Sequence, residues 1–214
     1  MSASCCSSQP RFEGLSPAYR RVLWAVIAIN GSMFLAEMIA GRVAGSQALQ
    51  ADALDFAADS LTYALTLAVI GRSLRLRSAA ALFKGFSLLA LGLWVAGSTL
   101  WRVWAGGVPE AQIMGIFGVL ALAANLLSLA LLLRWREGDA NVRSVWLCSR
   151  NDAIGNVAVM LAALGVFGTA AAWPDLLVAG IMSALFLSSA WQIIRRALAE
   201  RREAAGLPEV VPSS

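Results

Sequence analysis

Six long apolar blocks, near residues 19–41, 48–71, 79–102, 111–133, 143–169 and 174–194, limit what this chain can fold into. A helix needs about 20 consecutive apolar residues to cross ~30 Å of hydrocarbon, and each block approaches or exceeds that length. The expectation is an all-α membrane protein with six transmembrane helices. Composition agrees, because only 14% of residues are charged and 59% are hydrophobic, whereas a soluble domain carries about 25% charged residues. Helix breakers gather in or beside the joins: Gly41, Gly45, Gly106, Gly107, Pro109, Gly138 and Pro174. The division expected is a tail over 1–18, one membrane domain over 19–196 and a tail over 197–214, both tails too short for a soluble domain. The polar start and the length of the first block argue against a cleavable leader.

Arginines set the orientation. Arg11, Arg20 and Arg21 precede or open span 1, and Arg72, Arg75 and Arg77 follow span 2. Arg134, Arg136 and Arg143 lie between spans 4 and 5, and Arg195, Arg196, Arg201 and Arg202 follow span 6. The opposite side holds only Arg42 and Arg102. The positive-inside rule therefore puts both termini in the cytoplasm, as an even number of spans requires. These arginines also explain the net charge of +4, so no nucleic-acid partner is expected. Cys5 and Cys6 are adjacent in a polar tail and Cys148 lies in an apolar block, a pattern of thiols on the reducing side rather than a disulfide framework.

Charge inside a span is the anomaly that points to chemistry. An Asp at a helix centre costs about 2.5–3.5 kcal/mol on insertion scales. Span 2 carries Asp52, Asp55 and Asp59, and span 5 carries Cys148 and Asp152. At 100° per residue, positions i, i+3 and i+7 fall within about 60° of one another, so the three aspartates share one stripe. Cys148 and Asp152 share a face one turn apart. If the two helices face each other, Asp55, Asp59, Cys148 and Asp152 can enclose one metal ion, with carboxylate and thiolate donors suited to zinc and its neighbours. The bland alternative is that the acids pair with cations. Only Lys84 and Arg150 lie well inside spans, against Glu37, Asp52, Asp55, Asp59 and Asp152. Cys148 has its own alternative, since a membrane cysteine often serves as a small apolar filler.

At these residues the sequence resembles the cation diffusion facilitator family. The run from Glu37 through Gly41, Gly45, Ser46 and Asp52 to Asp59 resembles that family's signature over spans 1 and 2. The segment NVRSVWLCSRNDAIGN resembles its span 5 signature, in which a His usually precedes the Asp by four residues. Asn125 and the stretch from Arg75 to Gly85 fit more loosely. The resemblance implies a transport site of Asp55, Asp59, Cys148 and Asp152, exchange of metal for protons, and a homodimer. Three departures stand out: Cys148 in place of His, no histidine anywhere, and no soluble metal-binding domain after span 6.

The donors suggest a mechanism of their own. Four acidic groups in a low dielectric cannot all be ionised without a cation, so an empty site holds protons and a loaded one releases them. Alternating exposure then gives metal/proton antiport, with metal leaving the cytoplasm of a bacterial inner membrane down the proton gradient's pull. Glu37 and Asp52 are the candidate ion path. Asp175, in the last outer turn, reads either as part of that path or as a helix-end acid facing water. Cys5 and Cys6 are candidates for metal capture, the alternative being a tail in which they do nothing. Trp101, Trp104, Trp135, Trp146 and Trp173 fall near span ends, where indoles favour the interface. Competing readings are an exporter of small organic cations and a transport-inactive relative acting as a regulatory or scaffolding subunit. An enzyme is not expected, since no histidine and no serine constellation is present, and no cofactor is expected beyond the transported ion.

Overall fold

The computed structural model describes residues 16–69, 74–135 and 140–204, while the side chains of 74, 75, 135, 140–151 and 202–204 lie outside the description. The described residues form six α-helices: α1 (Pro17–Ala44), α2 (Gln47–Val69), α3 (Leu74–Ala105), α4 (Ala111–Leu132), α5 (Ala140–Thr169) and α6 (Trp173–Ala204). One 3-10 turn, Leu133–Trp135, extends α4. No strand occurs among the described residues. Five of the helices are long and apolar enough to cross a membrane. The exception is α2, because any 18-residue stretch of it contains Asp52, Asp55 and Asp59. The segment that carries the charges is thus the least membrane-like one by composition, although it lies among the other five.

Local chemistry explains the first two helices. The Ser16 side chain accepts a hydrogen bond from the Tyr19 amide at 3.2 Å, and Pro17 opens α1 where its missing N–H costs nothing. Gly45 ends α1 with φ 67°, a left-handed conformation that favours glycine. Its amide and that of Ser46 return to the carbonyls of Arg42 and Gly41, at 3.3 and 2.9 Å. α2 starts at once, so α1 and α2 form a tight hairpin. Gly41 permits the closeness, since a Cβ there would lie 2.8 Å from Gln50 Cγ and 3.0 Å from its backbone nitrogen.

The helices form two units. α1, α2, α5 and α4 close a four-helix ring, each packed on the next, and α3 pairs with α6 against the α2 and α5 side of that ring. The α3–α6 pair is antiparallel: Arg201 Nε donates to Ser78 Oγ at 3.2 Å at one end, and Ser183 Oγ donates to the Gly92 carbonyl at 3.0 Å further along. Small residues fill the interior of α2, with Ala48, Ala51 and Ala53 fully buried, which allows backbones to approach closely. The outside is apolar instead. Ile39, Leu93, Leu164 and Phe167 are exposed, as lipid contact requires, along with Trp101, Trp104 and Trp173 at helix ends.

Candidate functional site

α2 and α5 are neighbours in the ring, and their acids meet. The Asp152 carboxyl group lies within hydrogen-bonding reach of both Asp55 and Asp59. All three are half-buried. Two carboxylates in contact can bond only if one keeps a proton, or if a cation comes between them. Tyr63, fully buried one turn beyond Asp59, donates its hydroxyl to Asp59 Oδ2 at 2.6 Å. Lys84 of α3 acts on Asp59 electrostatically. Cys148 belongs to α5, but its side chain lies outside the described residues, as do those of Arg150, Cys5 and Cys6. Among the described residues, no three carboxylate, thiol or imidazole side chains close around one point as a finished metal cage. The described arrangement is a juxtaposition of Asp55, Asp59 and Asp152.

A second group sits one turn towards the N-terminus of α2. Glu37 of α1 and Asp52 of α2 face each other across the hairpin within hydrogen-bonding reach, at 0% and 2% exposure. Neither Glu37 carboxyl oxygen has a settled donor, nor does Asp52 Oδ2. On α5, Asn156 is fully buried and neither its Nδ2 nor its Oδ1 finds a partner. It follows Asp152 by one turn and precedes Val159, which belongs to the buried apolar cluster that also holds Leu49, Ala51 and Leu54 of α2. That stripe of α5 faces α2.

Asp175 behaves differently from both expectations. It neither faces water nor lines a path: it is buried, at 1% exposure, and fully engaged. Its Oδ1 accepts from Ser46 Oγ at 2.6 Å and from the Ala48 amide at 3.0 Å, while Oδ2 accepts from the Gln47 amide at 2.8 Å. Ser46 Oγ in turn accepts from the Leu49 amide at 3.0 Å. One carboxylate in the first turn of α6 thus satisfies the amides that open α2, and its charge favours both helix N-termini. Arg102, at the end of α3, acts on Asp175 electrostatically and donates from Nη2 to the Gly45 carbonyl at 3.0 Å. The Glu110 amide before α4 donates to the Ala44 carbonyl at 2.9 Å. The end of the molecule that holds the α1–α2 turn is therefore tied together from five helices, α1, α2, α3, α4 and α6.

Sequence reading missed Tyr63, Asn156 and this tie. The first two were visible in principle, each standing four residues beyond a predicted donor. The partners of Asp175 lie 127 to 129 residues away, and no local pattern connects them.

Comparison with known proteins follows the same residues. Residues 23–200 match the family model described as the cation efflux transmembrane domain. The chain is 29% identical to the zinc transporter ZitB of Escherichia coli over 199 residues, covering 87% of this chain and 63% of that protein. It is 26% identical to the metal cation efflux system protein CzcD of Cupriavidus metallidurans over 190 residues, covering 83% of this chain and 60% of that one. The match to ZitB of Yersinia pestis is 28% over 199 residues. The chain thus spans somewhat over half the length of the curated relatives it matches.

Proposed function

Because the chain belongs to the cation efflux family by its transmembrane domain, we propose that it exports a divalent transition-metal ion, zinc foremost, from the cytoplasm in exchange for protons. It is a multi-pass protein of the bacterial inner membrane, on the strength of its apolar helices and its bacterial relatives. The observation that carries the proposal is the meeting of Asp152 on α5 with Asp55 and Asp59 on α2 in the interior of a membrane-spanning ring. Hydrocarbon penalises such a gathering unless a cation or protons compensate it. In this reading Asp55, Asp59, Cys148 and Asp152 hold the metal, and the same carboxylates hold protons when the metal has left. Metal and proton compete for one set of donors, which couples their movements when the site opens to each side in turn.

Both termini face the cytoplasm, so the α1–α2 turn, Arg102 and Asp175 lie at the outer face. Cadmium and cobalt share the donor preferences that suit zinc here. The protein acts as a homodimer, as a transporter and not as an enzyme, with the metal as cargo and no resident cofactor. The test is metal flux per folded protein in proteoliposomes with an imposed pH gradient. Asp59→Asn is expected to abolish flux, because it removes a charge and an exchangeable proton together. Asp52→Asn is expected to slow flux without abolishing it. Equal loss in both variants, or flux that ignores the pH gradient, overturns the proposal.

A further inference from the structure

The interior of this protein holds two kinds of buried acid, and the difference between them is informative. Asp175 accepts three hydrogen bonds, and the Arg102 guanidinium acts on its charge. Glu37 and Asp52 are buried just as deeply and face each other with three oxygens lacking any donor. A carboxyl pair of that kind is costly in hydrocarbon without something positive between its members. The independent observation is Asn156. Its amide is fully buried on a different helix, and both polar atoms lack partners.

Helix geometry brings the three to one level. α1 and α2 are a hairpin about Gly45 and Ser46, so Glu37 and Asp52, at nearly equal separations from the turn, stand opposite each other. The C-terminal end of α5 leads through residues 170–172 into α6, whose Asp175 grips the N-terminus of α2. α5 therefore runs antiparallel to α2, and one turn beyond Asp152 on α5 corresponds to one turn before Asp55 on α2. Asn156 and Asp52 occupy those positions, each on the face that already brings Asp152 to Asp55 and Asp59.

We propose that Glu37, Asp52 and Asn156 form a second divalent-cation site, one turn outward from the Asp55, Asp59 and Asp152 site. The inference rests on the transport reading above and deepens it. The donors are two carboxylates and an amide oxygen, a harder and all-oxygen set than one that includes a thiolate, so the site binds zinc more weakly than its inner neighbour. A weaker site on the outward side receives the ion as protons reach the inner carboxylates, and passes it on.

The experiment is equilibrium zinc binding to the full-length chain purified in detergent, with metal content read by mass spectrometry. Wild type is expected to bind a second, weaker equivalent. Glu37→Gln should remove that equivalent and keep the first, while Asp59→Asn should remove the first. Asn156→Asp adds a carboxylate and should tighten the weaker equivalent about tenfold or more, since ligand charge sets affinity at oxygen sites. A gain of affinity is not what a purely structural residue gives, and it does not depend on a variant that loses its fold. A single equivalent, lost in Asp59→Asn and unchanged in Glu37→Gln and Asn156→Asp, overturns the second site and leaves the transport reading standing. Absence of any zinc binding that depends on Asp55 or Asp59 overturns both.

Discussion

At the residue scale, Asp59 is the acid of the α2–α5 group on which a carboxyl, a hydroxyl and an ammonium group all act. It meets Asp152, accepts a hydrogen bond from Tyr63 and feels the charge of Lys84. Groups that orient a metal donor commonly contribute 10–100-fold to affinity. Tyr63→Phe is therefore expected to lower zinc affinity by about tenfold while the chain stays folded, as measured by titration beside a thermal unfolding scan. Cys148 is a separate question, posed by its position one turn before Asp152. Replacing it with His removes a soft, charged donor, which costs cadmium more than zinc. Competitive uptake into vesicles is expected to shift towards zinc in Cys148→His, and an unchanged ratio marks Cys148 as a packing residue. The acids were legible in the sequence because charge is so conspicuous in an apolar span. Tyr63 and Asn156 stand at a readable spacing, four residues beyond Asp59 and Asp152, but neither residue type is conspicuous in a span, and only the fold shows that both are buried.

At the element scale, helix boundaries followed from length and breakers to within a few residues, except that α1, α3 and α6 run longer than the apolar blocks. The added residues of α6 are rich in arginine and glutamate, and those of α1 and α3 include Arg42, Arg75 and Arg77, so hydropathy falls there although the helix continues. What sequence did not reveal is how α2 begins. Its first amides are satisfied by a side chain of α6, an arrangement that depends on tertiary structure alone. Asp175→Asn keeps one acceptor but presents a donor group to donors. It is expected to destabilise the folded state by about 1–3 kcal/mol, the usual cost of a buried polar group left without its partner. A lowered unfolding temperature in detergent with zinc affinity intact is the expected pair of results. Loss of zinc binding without loss of stability goes against the structural role. Ala170, at φ 48°, turns α5 towards α6 in a conformation that glycine adopts more readily. Ala170→Gly is accordingly expected to stabilise the chain by about 0.5–1 kcal/mol in the same unfolding scan.

For the whole molecule, arginine counting predicts which ends face the cytoplasm, and the structure adds a reason for one exception. Arg102 stands on the side with few cations because its guanidinium is used there, at Gly45 and beside Asp175. The orientation is checked with single cysteines in a cysteine-free background and a membrane-impermeant thiol reagent on whole cells. A cysteine at Gly107 is expected to react from outside, and one at Arg201 only after the cells are opened.

The grip of Asp175 on α2 has a mechanical consequence. A rod held at one end turns about that end, so Asp175 and Ser46 form a fulcrum for α2. Asp52 lies about 8 Å along the rod and Asp59 about 18 Å, so a tilt of about 10° carries Asp59 about 3 Å and Asp52 little more than 1 Å. Such a tilt would change the distance of Asp55 and Asp59 from Asp152 more than the spacing of Glu37 and Asp52 near the pivot. A lever built this way would alter its grip at the far arm and hold a nearly fixed geometry near the pivot.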